Sequence, residues 1–368
     1  MVVLSLVLGM AVGCSDRAPR SGADARILKA QRLFDGTRFV EPPVVLLRNG
    51  VVEAVGDSAL MDAAAPVQDY GNATIMPGII DLHVHTQGTL SPLLARGVTT
   101  AVDLGAPLLY ELEERPGHLR LLQAGRIITV RRGYPINVWG RALAAVVGKG
   151  RSPESVVKSH VRGGADVIKI ALDPGPRGTW PMLSRRQVVA ISESAHRHGL
   201  LVFAHVSETG GLERALTGGV DVLAHIPCRR VPTKSIERVV DGNVSVVGTL
   251  HVTDRPACDG AMANARRLVS LGGRLLYGTD FGNPGIPVGP DAGELRLMRR
   301  AGLSGAELLA AATRHAAETL GLEPLGSIVP GAPADLIVVP NDPSVRPGRL
   351  GNPSLVMSGG VTVAEARS

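Results

Sequence analysis

The sequence has few aromatic residues and few cysteines. Phenylalanine, tryptophan and tyrosine together account for 3% of its 368 residues, whereas glycine occurs 45 times. A hydrophobic core must therefore be built mostly from valine, leucine, isoleucine and alanine. The three cysteines, Cys14, Cys228 and Cys258, form no CxxC pair. Their spacing therefore indicates neither a zinc knuckle nor a disulfide framework.

The chain also lacks a concentrated block of charge. Its net charge of +6 is spread over isolated arginine residues, which favours solubility and, mildly, anionic partners. No motif that is typical of nucleic-acid binding accompanies this charge, so we expect no nucleic-acid partner.

The N-terminal segment lacks basic residues before Arg17, yet its apolar run MVVLSLVLGMAVGC resembles a signal peptide. The run is too short to span a bilayer as a stable helix. Its ending, AVGC, resembles the lipobox of bacterial lipoproteins, and a start codon assigned too late would explain the missing basic residues. We expect a signal segment at 1–13, a lipidated Cys14 and a polar tether at 14–25. An ordinary secretory signal or a ragged N-terminus is the alternative.

This hypothesis places the protein outside the cytoplasm. A lipid on Cys14 would anchor the exported chain to a membrane of the bacterial cell envelope, either the outer or the cytoplasmic membrane. The membrane is therefore an expected partner, and a homo-oligomer is compatible with the sequence.

Short apolar runs broken by turns occupy both ends of the remaining chain. The RNG step at 48–50 separates two such runs and predicts a hairpin. Runs of the same style recur in GSIVPGAPADLIVVP and PSLVMSGGVTV near the C-terminus. We therefore predict one small β-sandwich domain that is formed from both termini, over residues 26–76 and 324–368.

The middle of the chain alternates between strand-like runs and helical patterns. Eight apolar runs recur there: GIIDLHVH, VTTAVDLG, RIITVRR, ADVIKIAL, LLVFAHVS, VDVLAHI, VSVVGTL and RLLYGTD. Helix-start signals lie between them, with proline at the first helical position of SPES (152–155) and capping boxes in SRRQ (184–187) and SGAE (304–307). This pattern predicts an α/β fold with a closed (β/α)8 TIM-type barrel over 77–323. An open doubly wound sheet is the alternative, but the first strand–helix turn lacks GxGxxG.

Ionisable residues fall late in the predicted strands, where a barrel of this type places its active site. In the first run, alternation along a strand directs His83 and His85 to the same face. The other late residues are Lys169, His205, His225 and Asp280. Imidazole and carboxylate groups that converge in this way are typical of a metal site.

These residues lie in motifs that resemble the amidohydrolase superfamily of metal-dependent hydrolases. The motifs occur in order between residues 26 and 345: PGIIDLHVH, GVTTAVDLG, GADVIKI, FAHV, VLAHI, YGTD and GSIVPGAPADLIVV. Within the superfamily, the chain is most similar to the imidazolonepropionase-related group that includes Xaa-Pro dipeptidases. The resemblance implies a distorted barrel with a β-sandwich flank.

The resemblance also implies a site with two divalent metal ions. His83 and His85 would hold the more buried ion, and His205 and His225 the more exposed one. Lys169 would be carboxylated by CO2 to a carbamate that bridges both ions; a salt bridge inside the barrel is the alternative for this lysine. Zinc is the default for nitrogen and oxygen ligands in an exported protein, with manganese, cobalt, iron or nickel as alternatives.

The implied reaction is hydrolysis of an amide-type C–N bond in a peptide, N-acyl or cyclic amide substrate. A metal-bridged hydroxide would attack, and Asp280 would serve as metal ligand and as general base and acid. The alternatives are a mononuclear deaminase of the same fold and a surface lipoprotein that binds without catalysis.

Candidate substrate contacts follow the predicted strands. Arg131 and Arg229 lie in arginine pairs that are suited to grip a carboxylate, although plain surface charge is the simpler interpretation. Tyr134 and His251 are further candidates in the loops at the barrel mouth. The substrate is therefore expected to be a small amide or a dipeptide.

Overall fold

The computed structural model describes residues 25–62, 65–86, 90–108 and 115–366. The predicted signal segment, Cys14 and all of the predicted tether except residue 25 lie outside these ranges. Within the described ranges, no helix is both long enough and apolar enough to cross a membrane.

Strands from both ends of the chain share sheets beside the barrel. In chain order they are β1 (Ala25–Lys29), β2 (Arg32–Leu33), β3 (Val44–Arg48), β4 (Val51–Val55), β5 (Val67–Asp69) and β6 (Ala73–Pro77), and then β17 (Leu336–Pro340), β18 (Leu355–Ser358) and β19 (Val361–Glu365). One sheet has the order β4-β3-β1-β5, and the other has the order β19-β18-β17-β6-β2. β6 pairs antiparallel with β17, so this sheet combines strands from both ends of the chain. The boundaries between the predicted domains stay a prediction.

The hairpin predicted at RNG is confirmed. β3 and β4 pair antiparallel with Arg48 opposite Val51, so Asn49 and Gly50 form a two-residue loop. Both loop residues have positive φ, 51° and 82° respectively. Asparagine followed by glycine is the sequence that best tolerates this backbone in a tight hairpin.

Ten parallel strands occur in the described part of the barrel region. They are β7 (Ile79–Val84), β8 (Val98–Asp103), β9 (Arg120–Gln123), β10 (Ile127–Val130), β11 (Ala144–Val147), β12 (Ile168–Leu172), β13 (Val202–Val206), β14 (Val222–Leu223), β15 (Ser245–Val247) and β16 (Leu275–Leu276). β7, β8 and β9 form one sheet, and the other seven have the order β11-β10-β12-β13-β14-β15-β16. A parallel bridge between Val84 and Phe281 joins the first strand to the segment after the last one.

All eight predicted runs contain a strand, but the prediction for the third position is wrong. β9 pairs with β8, whereas β10, the predicted third strand, pairs with β11 and β12. Neither β9 nor β11 was expected. β9 is the four-residue segment RLLQ, all of it only partly buried, and two adjacent leucines are too short a run to indicate a strand by periodicity alone.

Eleven α-helices occur in the described ranges. They are α1 (Ser91–Ala95), α2 (Ile136–Trp139), α3 (Pro153–Arg162), α4 (Arg185–His196), α5 (Thr209–Thr217), α6 (Thr233–Asp241), α7 (Leu250–Thr253), α8 (Ala261–Ser270), α9 (Ala292–Ala301), α10 (Gly305–Ala311) and α11 (Arg314–Leu320). The same ranges contain three short 3-10 helices, at Ser58–Asp62, Arg141–Leu143 and Pro347–Gly351. The predicted start of α3 at Pro153 and the capping boxes of α4 and α10 are confirmed.

The prediction that the cysteines form no disulfide framework is wrong for one pair. Cys228, after β14, is bonded to Cys258, after α7, across a sequence separation of 30 residues. No local spacing rule links two cysteines so far apart, because the two loops meet only when the barrel closes.

Candidate metal centre

Alternation along two neighbouring strands directs the site residues toward one face. On β12, Ile168, Ile170 and Leu172 pack into the main buried cluster, so Lys169 between them faces the other side. β13 follows the same rule, because its residues Val202, Ala204 and Val206 join that cluster. His205 therefore lies on the face of β13 that corresponds to Lys169 on β12.

Backbone hydrogen bonds hold the first and last site segments together. The amide of Asp280 donates to the carbonyl of His83 at 2.7 Å, and the amide of His85 donates to the carbonyl of Phe281 at 2.6 Å. Asp81 accepts hydrogen bonds from the amide and the hydroxyl of Thr279, at 3.0 and 2.6 Å. These contacts fix the two predicted histidines beside the predicted carboxylate.

Three predicted ligands converge closely. One potential ligand atom from each of His83, His225 and Asp280 lies within 4.8 Å of the others, and all three residues are buried. His85 joins them, with its Nε2 3.2 Å from Oδ1 of Asp280. The rings of His83 and His225 have centroids 4.6 Å apart.

The protonation of His83 is set by its surroundings. Its Nδ1 lies 2.8 Å from the carbonyl oxygen of Ala224. Because a carbonyl only accepts hydrogen bonds, Nδ1 carries the ring proton and Nε2 keeps a lone pair. Burial lowers the pKa of His83 and of His225 well below the ordinary value, so both rings are neutral, as metal ligation requires.

The contact between His83 and Asp280 indicates a cation site. Nε2 of His83, with its lone pair, lies 3.4 Å from Oδ1 of Asp280. This Oδ1 atom is buried and accepts no hydrogen bond from any described residue. Two electron-pair donors that face each other in a buried space are stabilised by a cation that both contact. The donor set of imidazole nitrogens and carboxylate oxygen suits a divalent metal such as zinc.

Lys169 lies at the same site with its side chain almost fully buried, at 1% exposure. It forms no salt bridge with any carboxylate in the described part of the chain. The structure therefore gives no support to the alternative of a salt bridge inside the barrel. Burial lowers the pKa of Lys169 to about 7. A substantial fraction of the amine is therefore neutral near pH 7.

His205 is held by a residue that the sequence analysis missed. Its Nε2 lies 3.0 Å from Oδ2 of Asp173, which directly follows β12. Its ring lies 4.6 Å from that of His225 and stacks on Tyr134, with centroids 4.3 Å apart and planes inclined by 17°. The sequence offered one signal for Asp173, its position directly after a predicted strand, which it shares with the other site residues.

One cavity of about 580 Å³ contains this whole arrangement. All six predicted metal ligands and Tyr134 line it, and so does Arg255, a second residue that the sequence analysis missed. Arg131, Arg229 and His251 are absent from the described lining. Instead, Nη1 of Arg229 lies 3.8 Å from Oδ1 of Asp259, and Nδ1 of His251 lies 2.5 Å from Oδ2 of Asp291.

Comparisons with known proteins agree with this architecture. The chain is 25% identical to the enamidase of Eubacterium barkeri over 332 residues, which cover 82% of each chain. It is 28% identical to an imidazolonepropionase of Deinococcus radiodurans over 351 residues, which cover 82% of this chain and 86% of that protein. A crystal structure of a Xaa-Pro dipeptidase with methionine bound in its active site superposes with a TM-score of 0.78. That match has 21% identity and covers 93% of this chain and 100% of the other, so it confirms the barrel fold.

The model of the amidohydrolase family matches residues 74–363, which include every predicted metal ligand. A match over this much of the chain confirms the superfamily that the motifs predicted. The chain therefore belongs to the amidohydrolase family and is a hydrolase that acts on carbon–nitrogen bonds.

Proposed function

We propose that the protein hydrolyses an amide-type C–N bond in a small substrate, with two divalent metal ions and with Asp280 as general base and acid. The observation that carries this proposal is the contact between the lone pair of His83 Nε2 and the unsatisfied Oδ1 of Asp280, at 3.4 Å in the floor of a large cavity. A cation between these atoms stabilises both.

The two metal positions are assigned to residues on different strands. His83 and His85 would hold one ion, His205 and His225 the other, and Asp280 would contribute an oxygen. When bound, the ions polarise the substrate carbonyl and increase the acidity of water. Zinc remains the first choice, because the histidine nitrogens and carboxylate oxygens of this site are ligands that zinc commonly takes.

Lys169 completes the site through a change in its charge. A neutral amine can add to CO2 and release a proton, which leaves an anionic carbamate with two oxygens in place of an ammonium group. Burial supplies the neutral amine, since it lowers the pKa of Lys169 to about 7. A carbamate at this position would offset the positive charge of two metal ions, which five neutral or singly charged ligands leave uncompensated.

Asp280 moves the proton in this mechanism. Burial by itself would raise the pKa of its carboxyl, but contact with His85, whose Nε2 lies 3.2 Å from Oδ1, helps to hold the pKa well below its usual range. The carboxylate is therefore ionised and able to take a proton from the attacking water. It then returns the proton to the nitrogen that leaves, so that a neutral amine departs.

The volume of the cavity supports a small amide substrate. Cavities of several hundred cubic ångströms accommodate molecules of dipeptide size. Among the similar proteins, the Xaa-Pro dipeptidase is named for a dipeptide substrate and the imidazolonepropionase for a cyclic one. We therefore keep a peptide or N-acyl amide as the leading substrate class and a cyclic amide as the second.

The proposal is tested by metal analysis together with a substrate screen. Purified wild-type protein should hold close to two divalent ions per chain and should cleave members of a panel of dipeptides, N-acyl amino acids and lactams. Asp280→Asn should keep much of the metal but lose about 10² to 10⁴ in rate, because an amide cannot carry the proton. Asp259→Asn, which removes an exposed carboxylate outside the cavity, serves as the control.

Two results would contradict the proposal. Activity of Asp280→Asn within a few-fold of wild type would mean that another group is the base. A single bound ion, combined with release of ammonia from an aminated ring, would favour the mononuclear deaminase; a buried lysine at the metal site, such as Lys169, argues against that enzyme.

A further inference from the structure

Two of the acidic side chains in the cavity wall, those of Asp103 and Asp173, contact neighbouring groups. Oδ2 of Asp103 accepts hydrogen bonds from the amide and the hydroxyl of Thr86 at 2.9 and 2.6 Å. Asp173 is paired with His205 at 3.0 Å and accepts from the amide of Gly175 at 2.7 Å. Neither carboxylate forms a salt bridge with an arginine in the described part of the chain.

Arg255 contributes a positive charge to this wall that no described residue neutralises. It is the only arginine among the described residues that line the cavity. Within the described ranges its guanidinium group forms no salt bridge and no hydrogen bond. Arg229, by contrast, lies outside the described lining and 3.8 Å from Asp259.

Arg255 is an exposed residue that lines the cavity from a turn with local hydrogen bonds. The amide of Arg255 donates to the carbonyl of Thr253 at 2.8 Å, and the amide of Cys258 donates to the carbonyl of Arg255 at 2.8 Å. Cys258 is bonded to Cys228, three residues after His225, and both cysteines line the cavity. The disulfide therefore ties the loop of Arg255 to the segment that carries a predicted metal ligand.

An aromatic surface faces the same space. Tyr134, Trp139 and Trp180 line the cavity together with Arg255. The ring of Tyr134 stacks on that of His205, with centroids 4.3 Å apart, so this aromatic surface extends to a predicted metal ligand.

We propose that Arg255 binds a carboxylate of the substrate, so that the enzyme prefers amides that carry a free carboxylate, such as N-acyl amino acids and dipeptides. This inference rests on the proposed amide hydrolysis. The planar guanidinium group can bind both oxygens of a carboxylate at once. The aromatic surface would receive the apolar part of the same molecule.

The test compares two probes that share one amide bond. N-acetyl-L-phenylalanine carries the carboxylate, whereas N-acetyl-2-phenylethylamine lacks it and is otherwise the same. Binding is measured by calorimetry on the metal-loaded full chain in the Asp280→Asn background, in which the probe is not consumed. Turnover of both probes is measured separately in protein that retains Asp280.

Arg255→Ala should weaken binding of the acid about ten- to hundredfold and leave binding of the neutral probe unchanged. Arg255→Lys should recover only part of the loss, because an ammonium group does not bind both carboxylate oxygens in the same geometry. Arg229→Ala, which removes an exposed arginine after the neighbouring strand, should leave both affinities as they are.

The outcomes separate this inference from the proposed function. A preference for the acid that disappears in Arg255→Ala supports the inference, even if neither probe is hydrolysed; in that case it is the proposed amide hydrolysis of such substrates that fails. Equal binding of the two probes, a preference that survives in Arg255→Ala, or no binding of either probe overturns the inference.

Discussion

Nε2 of His205 lies 3.0 Å from Oδ2 of Asp173. A carboxylate that accepts a hydrogen bond from one nitrogen of a histidine ring fixes the orientation of the ring. The other nitrogen, here Nδ1, is then free to bind a metal. Asp173 thus acts on the site through His205.

We therefore expect Asp173→Asn to lower the affinity for the metal about 10- to 100-fold, since an amide orients the imidazole less strongly. Competition with a chromophoric chelator measures the affinity, and Asp259→Asn is the control. An unchanged affinity would show that Asp173 does not position His205 for binding.

Lys169→Ala should lose activity and bind metal poorly, because two cations would then face each other with less negative charge between them. If Lys169 is carboxylated, formate or acetate added with the metal should restore part of the activity by filling the vacated space. Methylamine is the matched control. Recovery with methylamine alone would indicate that the lysine acts as a cation.

In metal-free, CO2-free buffer, the free energy of unfolding should rise with pH between about 7 and 10.5. Burial lowers the pKa of Lys169 from 10.5 to about 7, so over this interval the unfolded chain binds a proton that the folded chain does not. Below pH 7 both states are protonated, and the folded state bears the full cost of a buried ammonium group.

Urea unfolding at a series of pH values measures this dependence. Lys169→Met keeps an unbranched side chain of similar length without the charge, and it should flatten the rise relative to wild type. Identical pH profiles for the two proteins would show that Lys169 titrates at its ordinary pKa in the folded chain.

The disulfide between Cys228 and Cys258 closes a sequence separation of 30 residues. The loss of chain entropy in the unfolded state for a loop of this length is about 3 to 4 kcal/mol, so Cys228→Ala/Cys258→Ala should be destabilised by about this amount. Thermal or urea unfolding checks the value. A reductant should destabilise wild type to a similar extent and leave the double variant unaffected; a reductant-insensitive wild type would argue against the bond.

Cys14 is predicted to be the lipidated first residue of the mature chain. The apolar run that ends in AVGC motivates this prediction, and the disulfide supports export because such bonds form mainly in oxidising compartments. The intact mass of membrane-fraction protein should correspond to a chain that begins at Cys14 and carries acyl groups. Cys14→Ser should abolish the modification, whereas a soluble wild-type chain that retains residues 1–13 would refute it.

Features that depend on short stretches of sequence were predictable. The Asn49-Gly50 hairpin and the capping boxes of α4 and α10 each involve a few adjacent residues whose backbone preferences act locally. The convergence of His83, His225 and Asp280 was also predictable. His83 lies near the end of β7, and His225 and Asp280 lie in the segments that follow β14 and β16. Parallel strands in a barrel present these ends together.

Only the tertiary structure decided which loop residues reach the site. Asp173 and Arg255 lie at the cavity whereas Arg229 and His251 are absent from its described lining, although all four follow strands or short helices in a similar way. The position of a loop side chain depends on contacts with distant segments, such as the bond between Cys228 and Cys258. Strand alternation repeats every two residues and is visible in the sequence, whereas these long-range contacts have no period and arise only when the chain closes on itself.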